Sequence, residues 1–232
     1  MITIESVKVY GFEEAIRGMR NSYNSWDKSD SYSTFIENEQ TGQSAPFEFF
    51  VGEKDILRMF SLAQAGAPER KFMRFITVYV DITAPLYWWK QMDTYKIGVD
   101  RNSCSTMHTI TSRDLTLDDF SHEHLIDIHR KVLENTVKAL NDIRAVYLKY
   151  EGHEEELARD WGITSKKDIW RQIIQLLPNS YNQRSTLKLN YEVLANIYRW
   201  RKNHKLDEWQ DLCKWIETLP YSELIIGAGI RD

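Results

Sequence analysis

Residues 72–85 read FMRFITVYVDITAP, and they are the clearest strand signal in this chain of 232 residues. From Phe72 to Thr83, every second side chain belongs to a mostly apolar set. This alternation predicts a β-strand whose successive side chains point to opposite faces. We expect Ala84-Pro85 to end the strand, because proline has no amide hydrogen to donate to a sheet. One face would carry Phe72, Arg74, Ile76, Val78, Val80 and Ile82.

The segments before this strand predict a second strand and two helices. Residues 2–10 alternate imperfectly and are interpreted as a strand. We predict helices over Glu13–Trp26 and Asp55–Ala65. Between them, Asp27–Gln43 is rich in Ser, Asp, Asn and Thr, which is typical of a loop that is mobile or carries function.

The segments after the strand predict mostly helices. Residues 86–98, LYWWKQMDTYKIG, would begin as a helix, and Gly98–Thr111 is polar and predicts a loop. The longest predicted helix is Ser121–Tyr150, in which apolar residues recur at helical spacing. Three further helices are predicted at Lys166–Leu177, Leu187–Tyr198 and Leu206–Thr218. Early strands followed by a run of helices predict one α+β domain over residues 1–232.

The composition is that of an ordinary globular protein. Hydrophobic residues make up 42% and charged residues 28%, with a formal net charge of -4, whereas a nucleic-acid surface would need clustered Lys and Arg. No apolar run approaches the roughly 20 residues of a membrane helix, and the first residues do not resemble a signal peptide. Cys104 and Cys213 are too few for a disulfide scaffold. We expect a cytoplasmic protein that binds neither nucleic acid nor membrane.

Familiar catalytic motifs are missing from the sequence. It contains no Gly-rich phosphate loop, no G-x-S-x-G, no C-x-x-C and no H-E-x-x-H. His122-Glu123-His124 comes closest to a metal cluster, but residues two apart on a helix point away from each other. We interpret this segment as a solvated helix start with Ser121 as its N-cap, and we predict no metal site.

Two amides and an arginine near the C-terminus form the most informative polar group. Asn196 lies six residues after Asn190, and Arg201 follows five residues later. An amide donates and accepts at once, which suits the edge of a heterocycle, and an arginine fork suits a carboxylate, a phosphate or a uracil carbonyl. The ordinary polarity of a helix surface also explains these residues without a ligand.

The spacing resembles that of the flavin-dependent thymidylate synthases. In this chain, as in that family, a Leu-Pro and a Tyr precede an Asn, and a second Asn follows six residues later and an Arg eleven residues later. The resemblance covers roughly residues 72–218, over which the order of elements agrees. The matching residues are Ala84-Pro85, Gln91, Leu177-Pro178, Tyr181, Asn190, Asn196 and Arg201.

The resemblance implies a fold, a reaction and a set of partners. The fold would have a central, mostly antiparallel sheet and a C-terminal half rich in long helices. The family forms a homotetramer that binds FAD and places dUMP against the flavin between subunits. The reduced flavin supplies hydride, methylenetetrahydrofolate supplies the one-carbon unit, NADPH reduces the flavin, and the product is dTMP.

The resemblance also implies roles for individual residues. Arg201 would be the catalytic residue that holds the pyrimidine and polarises its carbonyl oxygens. The cofactor would be bound by Asn190, Asn196, Tyr95 and Asn102. The nucleotide would be bound by Gln91, Lys96, Arg101, Cys104, Ser105 and Arg171.

The family's signature, R-H-R-x-x-S-x-N-E-x-S-x-R, is rewritten in residues 94–106, which read TYKIGVDRNSCST and are called the rewritten window below. Both leading arginines are lost, and Lys96 keeps a positive charge as a point charge rather than a fork. The Asn-Glu pair has become Arg101-Asn102, and the final Arg has become Thr106. These exchanges change the residues that the family uses to hold its ligands.

Two further departures concern Arg171 and Cys104. Ile174 replaces an arginine that the family has four residues before its proline, and Arg171, one turn earlier, is the candidate substitute. Cys104 replaces a serine and is either an ordinary small residue or a nucleophile toward C6 of a pyrimidine. Three other residues are expected to pack in the core: Cys213, Trp88 and Trp89.

Three functional hypotheses remain open. The protein is an active flavin-dependent thymidylate synthase, a relative with a changed substrate or cofactor, or a homologue that kept the fold and lost catalysis. The retained Gln91, Asn190, Asn196 and Arg201 favour the first hypothesis. The rewritten but still polar residues 93–108 favour the second, and the loss of both signature arginines favours the third.

Overall fold

The computed structural model describes residues 2–34 and 48–229. Part of the predicted loop Asp27–Gln43, residues 35–43, therefore lies outside the described residues. The strands are β1 Thr3–Tyr10, β2 Tyr32–Thr34, β3 Glu48–Phe50, β4 Thr77–Pro85, β5 Asp100–Ser103 and β6 Asn182–Asn190. The helices are α1 Phe12–Asn21, α2 Glu53–Ala63, α3 Leu86–Met92, α4 Thr106–Thr109, α5 Asp127–Leu148, α6 Glu154–Trp161, α7 Lys166–Leu176, α8 Tyr191–Arg201, α9 Asp207–Ile216 and α10 Glu223–Ile226. Short 3₁₀ helices occupy Trp26–Lys28, Glu69–Arg74 and Leu117–Asp119.

An antiparallel sheet with many helices confirms the predicted α+β class. Four strands form a sheet in the order β1-β4-β6-β5. Strands β2 and β3 form a separate antiparallel pair, in which Ser33 lies opposite Phe49. None of the described helices is both long enough and apolar enough to cross a membrane.

The described chain divides into two compact units. Unit 1 contains residues 2–3, 82–94 and 102–185. Unit 2 contains residues 4–34, 48–81, 95–101 and 186–229. The prediction of a single domain over the whole chain stays a prediction.

The core of unit 1 lies between α5 and α7. Leu133, Val137 and Leu140 are buried at helical spacing on α5, whereas Ile128 and Val132, which the periodicity also placed on the apolar stripe, are 68% and 62% exposed. The Asn141 side chain fixes the preceding loop, because its Oδ1 accepts from the Leu115 amide and its Nδ2 donates to the Leu115 carbonyl, both at 2.8 Å. The core cluster consists of Ile110, Leu115, Phe120, Leu133, Val137, Leu140 and Ile173.

The core of unit 2 includes one face of β4 and helices α8 and α9. Ile76, Val78 and Val80 are fully buried, as their alternation predicts. Trp209 on α9 is also fully buried. The prediction that Cys213 packs in the core is confirmed, as it is for Trp88 and Trp89 of unit 1.

A buried ion pair joins α1 to α2 in unit 2. Arg20 and Asp55 are 4% and 0% exposed, and Nε of Arg20 donates to Oδ1 of Asp55 at 2.6 Å. The hydroxyls of Ser29 and Ser31 donate to Oδ2 of Asp55 at 2.5 and 2.7 Å. The Arg20 guanidinium also donates to the backbone carbonyls of Ser25 and Lys28. Both charges are therefore satisfied inside the protein.

The predicted strand over Phe72–Thr83 is wrong at its beginning. Phe72 lies in the 3₁₀ helix Glu69–Arg74, and the strand begins at Thr77. Phe72 and Met73 are both buried although they are adjacent, whereas consecutive residues of a strand point to opposite faces. The strand ends at Pro85, so Ala84-Pro85 does end it as expected, although both residues belong to the strand.

The predicted helix over Leu187–Tyr198 is also wrong at its beginning. Leu187 and Leu189 are buried in alternation on strand β6, which runs to Asn190, and α8 starts at Tyr191. The late strand β6 completes a sheet that the sequence interpretation placed entirely in the first half of the chain. Asn190 and Asn196 therefore do not lie on one helix.

Three other boundaries differ from the predictions. The predicted loop Gly98–Thr111 contains β5 and α4, and α1 ends at Asn21 rather than at Trp26. Helix α5 begins at Asp127, so Ser121 is not its N-cap. The Ser121 hydroxyl instead donates to Glu123 at 2.8 Å and shares a hydrogen bond with the Tyr87 phenol at 3.0 Å.

Candidate functional site

Asn190 stands at the junction between β6 and α8 in unit 2. Its backbone is extended, and its Oδ1 accepts a hydrogen bond from the Val193 amide at 3.0 Å. An asparagine in this position satisfies one of the amide groups that a helix leaves unpaired in its first turn. The side chain that the resemblance implies in cofactor binding is thus also the N-cap that starts α8.

Gly98 brings the rewritten window close to this helix start. Its φ of 76° lies in the left-handed region, which favours glycine. A Cβ atom at this position would lie 2.9 Å from Nδ2 of Asn190 and 3.0 Å from Cγ2 of Val193. Both the backbone conformation and the close approach therefore require a glycine.

We predict that Gly98→Ala lowers the free energy of unfolding more than a glycine-to-alanine exchange at another position with the same backbone conformation. Gly152 is the matched control, because its φ is 87° and no atom lies within 4 Å of a Cβ built there. The left-handed conformation alone should cost roughly 1–2 kcal/mol in either variant. Urea denaturation should show a larger loss for Gly98→Ala, and equal losses would contradict the crowding at α8.

A cavity of about 350 Å³ in unit 2 opens beside this junction. Asn190 and Asn196 both line it, so the structure brings the two predicted amides together despite their different elements. Arg70 pairs there with Glu192, with 3.3 Å between Nε and Oε2, and donates to the Ala65 carbonyl at 3.0 Å. The lining consists of Arg70, Arg74, Ile97, Gly98, Asn190, Glu192, Val193, Ala195, Asn196, Arg199 and Ala228.

Positive charge predominates in this cavity. Arg74 and Arg199 are exposed, and within residues 2–34 and 48–229 neither makes an ion pair. Three arginines therefore face one carboxylate, that of Glu192. Guanidinium groups and the first turn of a helix both attract phosphate oxygens. The arrangement suits an anionic ligand that also contacts apolar surface, which Ile97 and Val193 provide.

Arg201 lies in unit 2 but outside the lining of this cavity. Its Nε donates to the phenol oxygen of Tyr95 at 2.9 Å, and its guanidinium carbon lies 4.5 Å from the centroid of the Trp209 ring. The structure thus brings together two other predicted residues, Tyr95 and Arg201. His204 is near, and burial and the charge of Arg201 lower the pKa of its imidazole.

A second cavity, of about 300 Å³, lies in unit 1 and includes Cys104. The backbone around Cys104 is fixed, because its amide donates to the Arg184 carbonyl and its carbonyl accepts from Nε2 of Gln183, both at 2.8 Å. Burial raises the pKa of Tyr181 in the same wall. The lining consists of Thr3, Thr83, Cys104, Arg113, Asp118, Asp119, Tyr181, Asn182, Gln183 and Arg184.

The remaining predicted residues line neither cavity. Gln91 is half-buried on α3, Arg171 is exposed on α7, and Ser105 directly precedes α4, all in unit 1. The other three are Asn102, exposed on β5 in unit 1, Lys96, exposed in unit 2, and Arg101, half-buried on β5 in unit 2. Their predicted roles stay predictions. Among the described residues, no group of three His, Cys, Asp or Glu side chains is arranged to hold a metal ion.

Sequence reasoning missed the arginines of the first cavity. Arg199 lies three residues after Asn196 on α8, so the two share a helix face. The predicted helix ends at Tyr198, and extending it to Arg201 would have revealed that pair. Arg70 and Arg74 lie on a 3₁₀ helix far away in sequence, and no local pattern links them to α8.

No family model matches the chain, and no curated protein matches it in sequence. Solved structures do match it over nearly its whole length. Thymidylate synthase X from Helicobacter pylori with FAD and dUMP is 17% identical with a TM-score of 0.63, covering 97% of this chain and 96% of that chain. A second structure of this synthase, also complexed with FAD and dUMP, agrees equally well over 97% of this chain and 99% of that chain.

A further match is the UMP/dUMP methylase PolB from Streptomyces cacaoi bound with 5-Br dUMP. It is 13% identical with a TM-score of 0.55, and the match covers 97% of this chain and 94% of that chain. At these identities the similarity concerns the three-dimensional structure. The protein therefore has the fold of these thymidylate synthase and methylase structures.

Proposed function

We propose that the protein binds FAD and a pyrimidine nucleotide and catalyses the reductive methylation of dUMP to dTMP. The observation that carries this proposal is the cavity of unit 2, in which Asn190 and Asn196 stand together with Arg74 and Arg199. The resemblance assigns both amides to FAD, and solved structures with the same fold hold FAD and dUMP. The donor groups of this cavity fit the diphosphate of such a cofactor.

Several side chains of this cavity would contribute to binding the cofactor. Arg74 and Arg199 would donate charge-assisted hydrogen bonds to phosphate oxygens. Nδ2 of Asn190 lies close to the backbone of Gly98, and the absence of a side chain at Gly98 leaves space for the Asn190 amide. The bound flavin would supply hydride to the reaction. Ile97 is almost fully exposed, at 92%, and would gain contact with the ligand.

Arg201 would act on the nucleotide rather than on the cofactor. A guanidinium at a pyrimidine carbonyl stabilises negative charge on that oxygen, and this interaction is stronger in a low-dielectric site than in water. By the same resemblance, Gln91, Arg101 and Lys96 would contact the nucleotide. Methylenetetrahydrofolate, NADPH and a homotetramer complete the proposal.

A second candidate is a methylase with a changed nucleotide or cofactor. The rewritten window favours it, because the window stays rich in polar side chains and gains Tyr95 beside Arg201. The presence of Cys104 in a second polar cavity points the same way, and a UMP/dUMP methylase shares the fold. A homologue that kept the fold and lost catalysis is the third alternative, and the loss of both signature arginines favours it.

The purified protein tests these alternatives directly. We expect a yellow protein with flavin absorbance, oxidation of NADPH on addition of dUMP and methylenetetrahydrofolate, and formation of dTMP. Thermal unfolding with dUMP, UMP and free FAD separates the candidates, because a ligand that binds the folded state raises the melting temperature. A shift with UMP alone would favour the second candidate. A colourless protein whose melting temperature shifts with none of these ligands would contradict the first two candidates and favour the third.

A further inference from the structure

The guanidinium of Arg201 is packed against two aromatic rings of unit 2. Its central carbon lies 4.5 Å from the centroid of the Trp209 ring and 5.5 Å from that of Tyr95. The two ring centroids are 5.9 Å apart. This separation is too small for a guanidinium to be sandwiched between the rings, so the guanidinium lies beside the pair. Such cation–π contacts hold the charge over the rings by electrostatic attraction.

A hydrogen bond adds direction to this packing. Nε of Arg201 donates to the phenol oxygen of Tyr95 at 2.9 Å. A cation over a ring face can rotate, whereas a hydrogen bond from Nε fixes the rotation of the planar fork. Because Nε donates its one hydrogen to Tyr95, a ligand oxygen would meet the guanidinium through a terminal nitrogen instead.

The turn after α8 fixes the backbone around the same cluster. The His204 amide donates to the Arg201 carbonyl at 3.0 Å, and Nδ1 of His204 accepts from the Leu206 amide at 3.1 Å. The Gln210 side chain donates to the His204 carbonyl at 2.9 Å. Nδ1 of His204 is an acceptor, and burial and the charge of Arg201 lower the pKa of the imidazole, so both favour its uncharged form.

We propose that Tyr95 is a positioning residue whose phenol oxygen, through Arg201, sets the orientation in which the guanidinium meets a carbonyl oxygen of the pyrimidine nucleotide. The identity of the ligand rests on the proposed function. The role differs from the cofactor contact that the resemblance implies for Tyr95. Tyr95 lies three residues before Gly98, where the rewritten window approaches the start of α8.

The orientation of Arg201 can be tested without any ligand. Tyr95→Phe keeps the ring and removes the oxygen. The Nε–H signal of Arg201 in NMR spectra, assigned by its loss in Arg201→Lys, should be sharp and slow to exchange in the wild type and broad and fast to exchange in Tyr95→Phe. Tyr10→Phe, at an exposed tyrosine, is the matched control and should leave the signal unchanged. An unaltered signal in Tyr95→Phe overturns the proposal.

Calorimetric titration with dUMP tests the link to the nucleotide. Tyr95→Phe should weaken binding about tenfold, the size of a hydrogen bond that involves a charged group. In the Arg201→Lys background the same substitution should have no further effect, because Tyr95 acts through the arginine. Fully additive losses would mean that Tyr95 contacts the ligand itself and would overturn the positioning role. A wild-type protein that binds no dUMP refutes the proposed function and the ligand named here, while the NMR signal still decides whether Tyr95 orients Arg201.

Discussion

Asp55→Asn is expected to lower the free energy of unfolding by about 3–5 kcal/mol, because it leaves the Arg20 guanidinium buried without a countercharge. Arg20 is 4% exposed and Asp55 is fully buried, so water cannot replace the lost partner. Urea denaturation of the purified variant measures the change. A loss below about 1 kcal/mol, the range of an exposed ion pair, would contradict this account.

Two control variants isolate the cause of this loss. Replacing both charges, as in Arg20→Met with Asp55→Leu, should cost less than the single exchange, since apolar pairs often substitute for buried ion pairs. Lys166→Met breaks an exposed pair, in which Lys166 and Glu151 are 35% and 81% exposed, and should change stability little. The contrast separates buried charge from ion pairing in general.

The same pair predicts the response of stability to pH. Burial raises the pKa of Asp55, but hydrogen bonds from Ser29 and Ser31 and the Arg20 guanidinium outweigh it, so the pKa lies below its ordinary value. A carboxyl with a depressed pKa stabilises the folded state above its unfolded pKa of about 3.9, and this contribution is lost as the pH falls through the folded pKa. Asp55→Asn should therefore flatten the pH dependence of stability below about pH 4.

The double variant Arg74→Gln and Arg199→Gln is expected to weaken FAD binding about 100-fold. Each exchange removes a charge-assisted hydrogen bond to phosphate, and about tenfold per arginine is at the lower end for such bonds because both side chains are exposed. Fluorescence titration of FAD into the flavin-free protein measures the affinity. Raising the salt concentration should weaken binding in the wild type more than in the double variant.

A charge-matched control accompanies this measurement. Lys138→Gln with Lys167→Gln also removes two positive charges, from exposed positions on α5 and α7 of unit 1. It should leave the affinity for FAD close to that of the wild type. If both double variants weaken binding equally, net charge rather than the cavity explains the effect. If neither does, FAD does not use this cavity.

Much of the fold could be predicted from periodicity, and its errors have physical causes. The alternation of Val78, Val80 and Ile82 predicts β4 correctly because one face of the strand is buried. Phe72 and Met73 break the pattern because a 3₁₀ turn buries neighbouring residues. At Asn190 a strand passes directly into a helix. The apolar residues before it recur at every second position and those after it recur at helical spacing, and together they are easily taken for one continuous helix.

Only part of the candidate site could be predicted in the same way. Asn190 and Asn196 were found from their spacing, and they do line one cavity. Arg70 and Arg74 come from a distant segment that meets α8 through tertiary packing, which no local pattern records. The contact between Tyr95 and Arg201 likewise depends on where the rewritten window folds, and the resemblance implies a cofactor contact for Tyr95 instead.

The tight approach at Gly98 limits how this protein can evolve. Every signature position in the rewritten window carries a different residue from the family's, yet the backbone path there crowds any side chain at position 98 against Asn190 and Val193. Descendants that keep this path must keep glycine at position 98, because a smaller residue at position 193 would relieve neither the left-handed φ nor the approach of Asn190. We expect position 98 to stay glycine among orthologues, while the charged positions around it diverge freely.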